Sequence, residues 1–300
     1  MIAKLDQLLP MAMAKGPRRV AVPMARDPDI IGCIGEAMQR GLATFILVGN
    51  RDHIVQLGQE NGVDVSAAEF IYQADDGVAC NLCAQLVRDG KADILMKGVV
   101  STTTFSKAFL NKELALVPPG QLVSHVALFE VPSYHKLLII TDAGLNIAPG
   151  LDAKKAIIRN AVDFAIRIGI ERPKVACVAA NEKVNSAMPS TMDGAELRRL
   201  GAAGFFAPAI VDGPFGLDVA VSKKAAQIKS VAGEVAGDAD ILLMPGIDAA
   251  NATYKTLTQF ADCLVASIIA GAKCHIVVTS RSDNEQVKLM SLGMAICMCQ

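Results

Sequence analysis

RRVAVPMARDPDIIGCIGEAMQRGLATFILVGN, residues 18–50, passes from strand to helix to strand. RRVAVPMA (18–25) is apolar and rich in β-forming residues. DPDIIGCIGEAMQRGLA (27–43) has helical periodicity, with Asp27 placed as an N-cap before Pro28 at the first helical position. TFILVGN (44–50) is a second apolar strand that ends in a turn. A strand, a covering helix and a further strand make the unit of a parallel sheet with right-handed crossovers.

The alternation continues outward. EFIYQ (69–73), a helix over about 76–89, ADILMKG (92–98) and a helix opened by hydroxyl residues in STTTFSKAFLNKE (101–113) follow. VSHVALFEVP (123–132) and HKLLIITDAGLN (135–146) then break the rhythm, as two apolar strands joined by a short turn predict an antiparallel hairpin. Beyond it come a helix (151–169), strand KVACVAA (174–180), a helix around 191–203 and strand FAPAIVDGP (206–214). Helix LDVAVSKKAAQIK (217–229), strand DILLMPG (240–246), a helix over 251–269, strand CHIVVTS (274–280) and a last helix from about 283 complete the chain. About ten strands are many for one twisted sheet, so the expectation is an α/β fold of two domains, with mainly parallel sheets and an interdomain cleft.

Composition agrees. Hydrophobic residues make up 52% of the 300, yet aromatics only 4% and Trp is absent, so the core is built from Ala, Val, Ile, Leu and Met. That mix suits parallel sheets covered on both faces. With 29 basic against 30 acidic residues and only Lys15, Arg18 and Arg19 clustered, a nucleic-acid partner is not expected. The amino-terminal MIAKLDQLLPMAMAKGPRR lacks the apolar run and cleavage site of a signal peptide. CLVASIIAGAKCHIVVTS is broken by Gly271, Lys273 and His275, so no membrane partner is expected and a cytoplasmic protein is. The eight cysteines lie mostly in apolar runs, which reads as reduced core thiols. Cys80 and Cys83 sit inside an amphipathic helix, without a second ligand pair for zinc. The closing MAICMCQ is apolar and suits an oligomer contact or core packing.

Ligands of open parallel sheets sit beyond the carboxyl ends of strands. The polar residues there are Lys97 with Ser101 to Thr104, Asp142 with Asn146, Asn181 to Asn185, Asp212, Asp248 with Asn251, and Thr279 to Asp283. The Ser280–Arg281 pair directly follows a strand, where a guanidinium can grip a phosphate through paired donors. The hydroxyls at 101–104 can donate to the same oxygens. No nucleotide P-loop or zinc-protease motif occurs, and Gly32 and Gly35 lie within a helix rather than in a dinucleotide loop. His125, alternating with apolar residues, reads as a partnered strand histidine or a residue pointing into a site.

KGVVSTTTFSKAFLNKE, VSHVALFEVPSYHKLLIITDAGLNIAP, NSAMPSTMDGAEL, VDGPFGLDVAVS, VAGDADILLMPGIDAANATYKTLTQFA and IVVTSRSDNEQVKL together resemble the phosphate acetyl/butyryltransferase family, in its phosphate butyryltransferase branch. The resemblance covers about residues 18–297. It implies an isocitrate/isopropylmalate dehydrogenase-like pair of α/β domains, with residues 1–134 plus 270–300 as the first and 135–269 as the second. It implies reversible transfer of a short-chain acyl group, butyryl or acetyl, between coenzyme A and inorganic phosphate. No cofactor is implied, because the thioester and phosphate are themselves substrates, and homo-oligomers are usual. Ser280 and Arg281 match the family's catalytic and phosphate-binding pair, and Thr102 and Thr103 its Thr-rich turn. Asn251, Tyr254 and Lys255 match an N-x-x-Y-K segment, and Asp212 and Asp218 a D-G-x-x-x-x-D stretch. Val287 stands where acetyltransferase relatives carry an Asp, and Asp283 or Glu285 could substitute for it; Asp283 is taken first as the carboxylate for the thiol proton. Gly246, Ala250 and Ser186 depart from the family pattern as well. Two other classes remain open at this level: a non-catalytic acyl-CoA binder, and a dehydrogenase using a metal and NAD.

Overall fold

The structure is a computed structural model and describes residues 2–280 and 283–299. It begins with a 3-10 turn (Leu5–Gln7), α1 (Leu8–Ala14), β1 (Arg18–Pro23), α2 (Pro28–Gln39), β2 (Ala43–Gly49) and α3 (Arg51–Glu60). Next come β3 (Glu69–Tyr72), α4 (Asp76–Arg88), β4 (Ile94–Met96), α5 (Thr102–Phe109), β5 (Ser124–Glu130), β6 (Leu138–Thr141), α6 (Leu151–Arg167) and β7 (Lys174–Val178). The run ends with α7 (Pro189–Ala202), β8 (Ile210–Phe215), α8 (Leu217–Val221), α9 (Lys223–Ile228), β9 (Ile241–Leu243), α10 (Ile247–Phe260), β10 (Leu264–Ala270), β11 (His275–Val277) and α11 (Glu285–Met298).

Helices start where short polar side chains can cap them. Asp27, Asn50, Asp75 and Ser101 each accept from the backbone N–H three residues on, which satisfies a donor the first turn leaves open. The expected hairpin is present: β5 and β6 are antiparallel, with Leu128 opposite Ile139.

The chain divides into two compact units. One comprises Leu122–Val265 and the chain start through Leu5; the other comprises Asp6–Gln121 and the chain from Ala266 onward. In the second unit β2, β1, β4 and β11 run parallel side by side, with β3 beyond β2 and β10 antiparallel to β11. In the first, β6, β9, β7 and β8 run parallel, in that order, beside antiparallel β5.

The expectation of separate, mainly parallel sheets on the isocitrate/isopropylmalate dehydrogenase-like pattern is overturned. The eleven strands follow one order, β3-β2-β1-β4-β11-β10-β5-β6-β9-β7-β8, as a single mixed sheet. The source of the error is local. Residues 264–269, read as the end of a helix, form β10, which takes the place between β11 and β5. Helix α10 stops at Phe260 because Asp262 adopts φ 47°, a left-handed conformation outside the helical range. LVASIIA then supplies the β-branched residues of a strand.

The apolar carboxyl-terminal helix belongs to the chain's own core. Residues 288–298 of α11 are all buried, with α1 and α2 packed on it, and Cys297 Sγ lies 3.4 Å from the Leu8 carbonyl. Among the described residues no helix is long and apolar enough to cross a membrane.

Candidate active site

In the unit that holds β1, β4 and β11, parallel register brings three strand exits to one sheet edge. Val277 pairs with Met96, and the Lys97 N–H donates to the Val277 carbonyl at 2.9 Å. The segments that follow, from Lys97 and from Val278, therefore leave the sheet roughly one strand spacing, about 5 Å, apart. Val99 N–H donates to the Met24 carbonyl at 2.9 Å, seating the first of these segments on the end of β1.

Ser101 turns that segment into α5. Its Oγ accepts from the Thr104 N–H at 3.0 Å and lies 2.8 Å from Thr104 Oγ1. Thr102 and Thr103 stand exposed on the first turn. Lys97, just upstream, is buried, with Nζ 3.4 Å from the Gly98 carbonyl. Arg26, beyond β1, donates to both carboxylate oxygens of Asp76 (2.9 and 3.0 Å) and to the Val99 carbonyl (3.3 Å). Arg26 was missed in the sequence, although the rule that found the other exits applies to it equally.

On the neighbouring exit the Asp283 carboxylate accepts from the Ser280 N–H at 2.7 Å, and the Asp283 N–H donates back to the Ser280 carbonyl at 3.2 Å. Asp283 is buried, and its own carbonyl accepts from the ammonium of Lys288. Ser280 and Asp283 are thus bonded to each other in both directions. Arg281 lies outside the described residues, between these two anchors. Val287 is in the first turn of α11, its N–H held by Asn284 Oδ1 at 3.0 Å.

The other unit carries the remaining candidates. Tyr254, buried on α10, meets Phe129 and His125 edge-on at centroid distances of 5.2 and 6.0 Å. The Lys255 ammonium sits 5.5 Å from the Tyr254 ring centroid. Asn251, exposed on the same helix, donates from Nδ2 to the Ala143 carbonyl at 3.2 Å. His125, the strand histidine of the sequence reading, packs its ring on Gly144, where an added Cβ would stand 3.3 Å from the imidazole.

Asp218 stands apart from that group, two strands from β9 in the order β9-β7-β8, or roughly 10 Å. Lys229 Nζ lies 3.1 Å from its Oδ1, 3.0 Å from its Oδ2 and 3.0 Å from Glu182 Oε1. The Lys229 hydrogen bond holds the Asp218 carboxyl below its usual range. Asp212 is likewise paired, with Arg198 at 3.1 Å. Asp238 and Asp240, the acidic pair that a metal-dependent dehydrogenase would need, precede β9 at the opposite sheet edge. They are engaged by Lys136, Lys174 and His135. Among the described residues no group of His, Cys, Asp and Glu could hold a metal ion.

Gly32 and Gly35 serve packing. A Cβ on Gly32 would stand 2.2 Å from the Glu285 carboxylate, and one on Gly35 2.3 Å from a Val63 methyl. A cavity of about 570 Å³ borders that face of α2 and contains none of the candidate residues.

The sequence profile described as "Phosphate acetyl/butaryl transferase" matches residues 52–296. The phosphate butyryltransferase of Clostridium acetobutylicum is 41% identical over 295 residues, covering 98% of both chains. The phosphate acetyltransferase of Thermotoga maritima is 36% identical over 291 residues, 97% of this chain and 98% of the relative. The crystal structure of a branched-chain phosphotransacylase from Enterococcus faecalis V583 superposes with a TM-score of 0.80 at 33% identity, covering 93% of this chain and 98% of that one. A profile spanning most of the chain, relatives alike from end to end and a superposable fold converge, and the chain belongs to the phosphate acetyl/butyryl transferase family.

Proposed function

We propose that this protein catalyses the reversible reaction of a short-chain acyl-CoA with inorganic phosphate to give acyl phosphate and coenzyme A. The observation that carries the site assignment is the parallel pairing of β4 with β11. It releases the segment that leads to Thr102 and Thr103 and the segment that leads to Ser280 side by side at one sheet edge.

A phosphate oxygen attacks the thioester carbonyl. A carbon–oxygen bond forms, the carbon–sulfur bond breaks, and coenzyme A leaves as thiolate and takes up a proton. Arg281 orients and neutralises the phosphate, while Ser280, Thr102 and Thr103 donate to phosphate or to the tetrahedral oxyanion. Asp283 is the assigned partner of the thiol proton. Its bond to the Ser280 N–H gives it a second task, holding Ser280 in place, and a carboxylate has acceptor sites enough for both. The N-x-x-Y-K segment of α10 is assigned to acyl-CoA.

Direct displacement is favoured over an acyl-cysteine intermediate. All eight cysteines are free thiols and buried. Burial is the leading cause that pushes Cys80, Cys297 and Cys299 up to about 11 and Cys177 and Cys274 up to about 12. Thiols held protonated at neutral pH are poor nucleophiles.

The test is phosphate-dependent thiol release from acetyl-, propionyl- and butyryl-CoA, which also ranks the acyl groups. Arg281→Ala is expected to lower kcat/KM at least about tenfold. A normal rate in that variant removes Arg281 from the mechanism, and retained CoA binding without turnover in the wild type favours a non-catalytic binder.

A further inference from the structure

One buried carboxylate has no part in the steps above. Asp142, 3% exposed, follows β6. Its Oδ1 accepts from the backbone N–H groups of Gly144 (2.9 Å) and Leu145 (3.0 Å). Its Oδ2 accepts from the Asn146 N–H (3.3 Å) and from Asn146 Nδ2 (2.5 Å). Asn146 Nδ2 donates as well to the Val123 carbonyl at 3.0 Å, which ties the loop to the start of the hairpin. Three successive N–H groups are drawn inward onto one charge. Two carbonyls of the same segment are left to hold α10. Ala143 O accepts from Asn251 Nδ2 at 3.2 Å, and Ile147 O accepts from the Ile247 N–H at 2.9 Å. The helix needs that hold, because along its whole length only Ala250 and Tyr254 are buried.

We infer that Asp142 is a positioning residue for acyl-CoA: by shaping residues 142–147 it sets the first turn of α10, and with it Asn251, Tyr254 and Lys255. This rests on the assignment of α10 to acyl-CoA. A carboxylate is required for geometric reasons. An amide at position 142 can turn its oxygen to the Gly144 and Leu145 N–H groups, but its NH₂ then faces two donors of Asn146, and the loop must open. Groups displaced by an ångström or so lose binding and rate far out of proportion to the contacts broken.

The experiment is steady-state kinetics on the full chain, varying butyryl-CoA and phosphate separately, with thermal unfolding alongside. Asp142→Asn is expected to raise the KM for butyryl-CoA about tenfold or more, with kcat within about threefold and the KM for phosphate within about twofold. Asn146→Ala, which removes the Nδ2 donor alone, should move the same constant in the same direction by less. It carries the test should Asp142→Asn fail to fold. Pairing Asp142→Asn with Asn251→Ala should give less than the product of the single effects, since both act through one link. A butyryl-CoA KM within twofold of wild type in Asp142→Asn and Asn146→Ala, or an equal rise in both KM values, overturns the inference. A lowered unfolding temperature without the split counts against it too. Lys255→Met and Tyr254→Phe separate the two layers. If neither changes the butyryl-CoA KM, the assignment of α10 itself is wrong. If they raise it while Asp142→Asn does not, only the positioning role falls.

Discussion

Gly98 carries a close approach that no side chain permits. A Cβ there would stand 1.9 Å from the Pro23 carbonyl oxygen and 2.7 Å from that of Met24. The segment leading to the hydroxyl turn is therefore seated backbone against backbone on the end of β1, with Arg26, itself held by Asp76, donating to the Val99 carbonyl. Gly98→Ala forces the segment outward. It is expected to destabilise the protein by about 3 kcal/mol, at the upper end for overpacking, and to reduce acyl transfer as Thr102 and Thr103 shift. Urea unfolding gives the first quantity and the thiol-release assay the second; wild-type values for both would show that the seat tolerates a methyl group. Asp142 was found as a strand exit and Asp218 through the family's D-G-x-x-x-x-D stretch, and neither signal says how the carboxylate is used. Which of them is spent on an ion pair and which on a loop depends on Lys229 and on the N–H groups of 144–146. The first partner lies at the C-terminal cap of the next helix, and the second set exists only once the turn has formed.

Among the elements, the caps and strand–helix units were legible because their signals are local: Asp27, Asn50, Asp75 and Ser101 cap within three residues. Residues 261–269, read as the end of a helix, were misread for a reason that is also physical. An apolar run continuous with a helix carries no period of its own, and its break is a single backbone torsion at Asp262. Helix α11 shows the opposite case, since its even apolarity marks full burial rather than an amphipathic surface. Leu292 at its middle has no exposed surface. Leu292→Ala is expected to cost about 2–5 kcal/mol from lost burial and the cavity left behind. A loss well under 1 kcal/mol would mean that α11 is not a core helix. Because Ser291 Oγ accepts from the Ser267 N–H at 2.9 Å, the same helix also bonds to the strand that sequence periodicity failed to find.

For the molecule as a whole, acid stability should follow the charge cluster at the start of β9. Burial works against ionisation of Asp238, but hydrogen bonds from Lys174, His135 and Lys136 outweigh it and hold the carboxyl well below the usual carboxylate range. A folded-state pKa below the unfolded value of about 3.9 adds stability in full above that pH, and the gain is lost as pH falls below it. The stability gap between wild type and Asp238→Asn should therefore be widest near neutrality and narrow below about pH 4, as followed by urea unfolding across that range. A constant gap would place the stabilisation elsewhere. Sequence alone determined the α/β alternation, the hairpin at 123–146, the family and the set of polar strand exits, because these depend on periodicity, composition and motif order along the chain. Tertiary structure alone decided that the strands form one mixed sheet and that Thr102 and Ser280 leave adjacent strands. It also decided that α10 hangs on a loop wound about Asp142. Strand order and side-chain partnership are relations between segments far apart in the chain, and no local pattern encodes them.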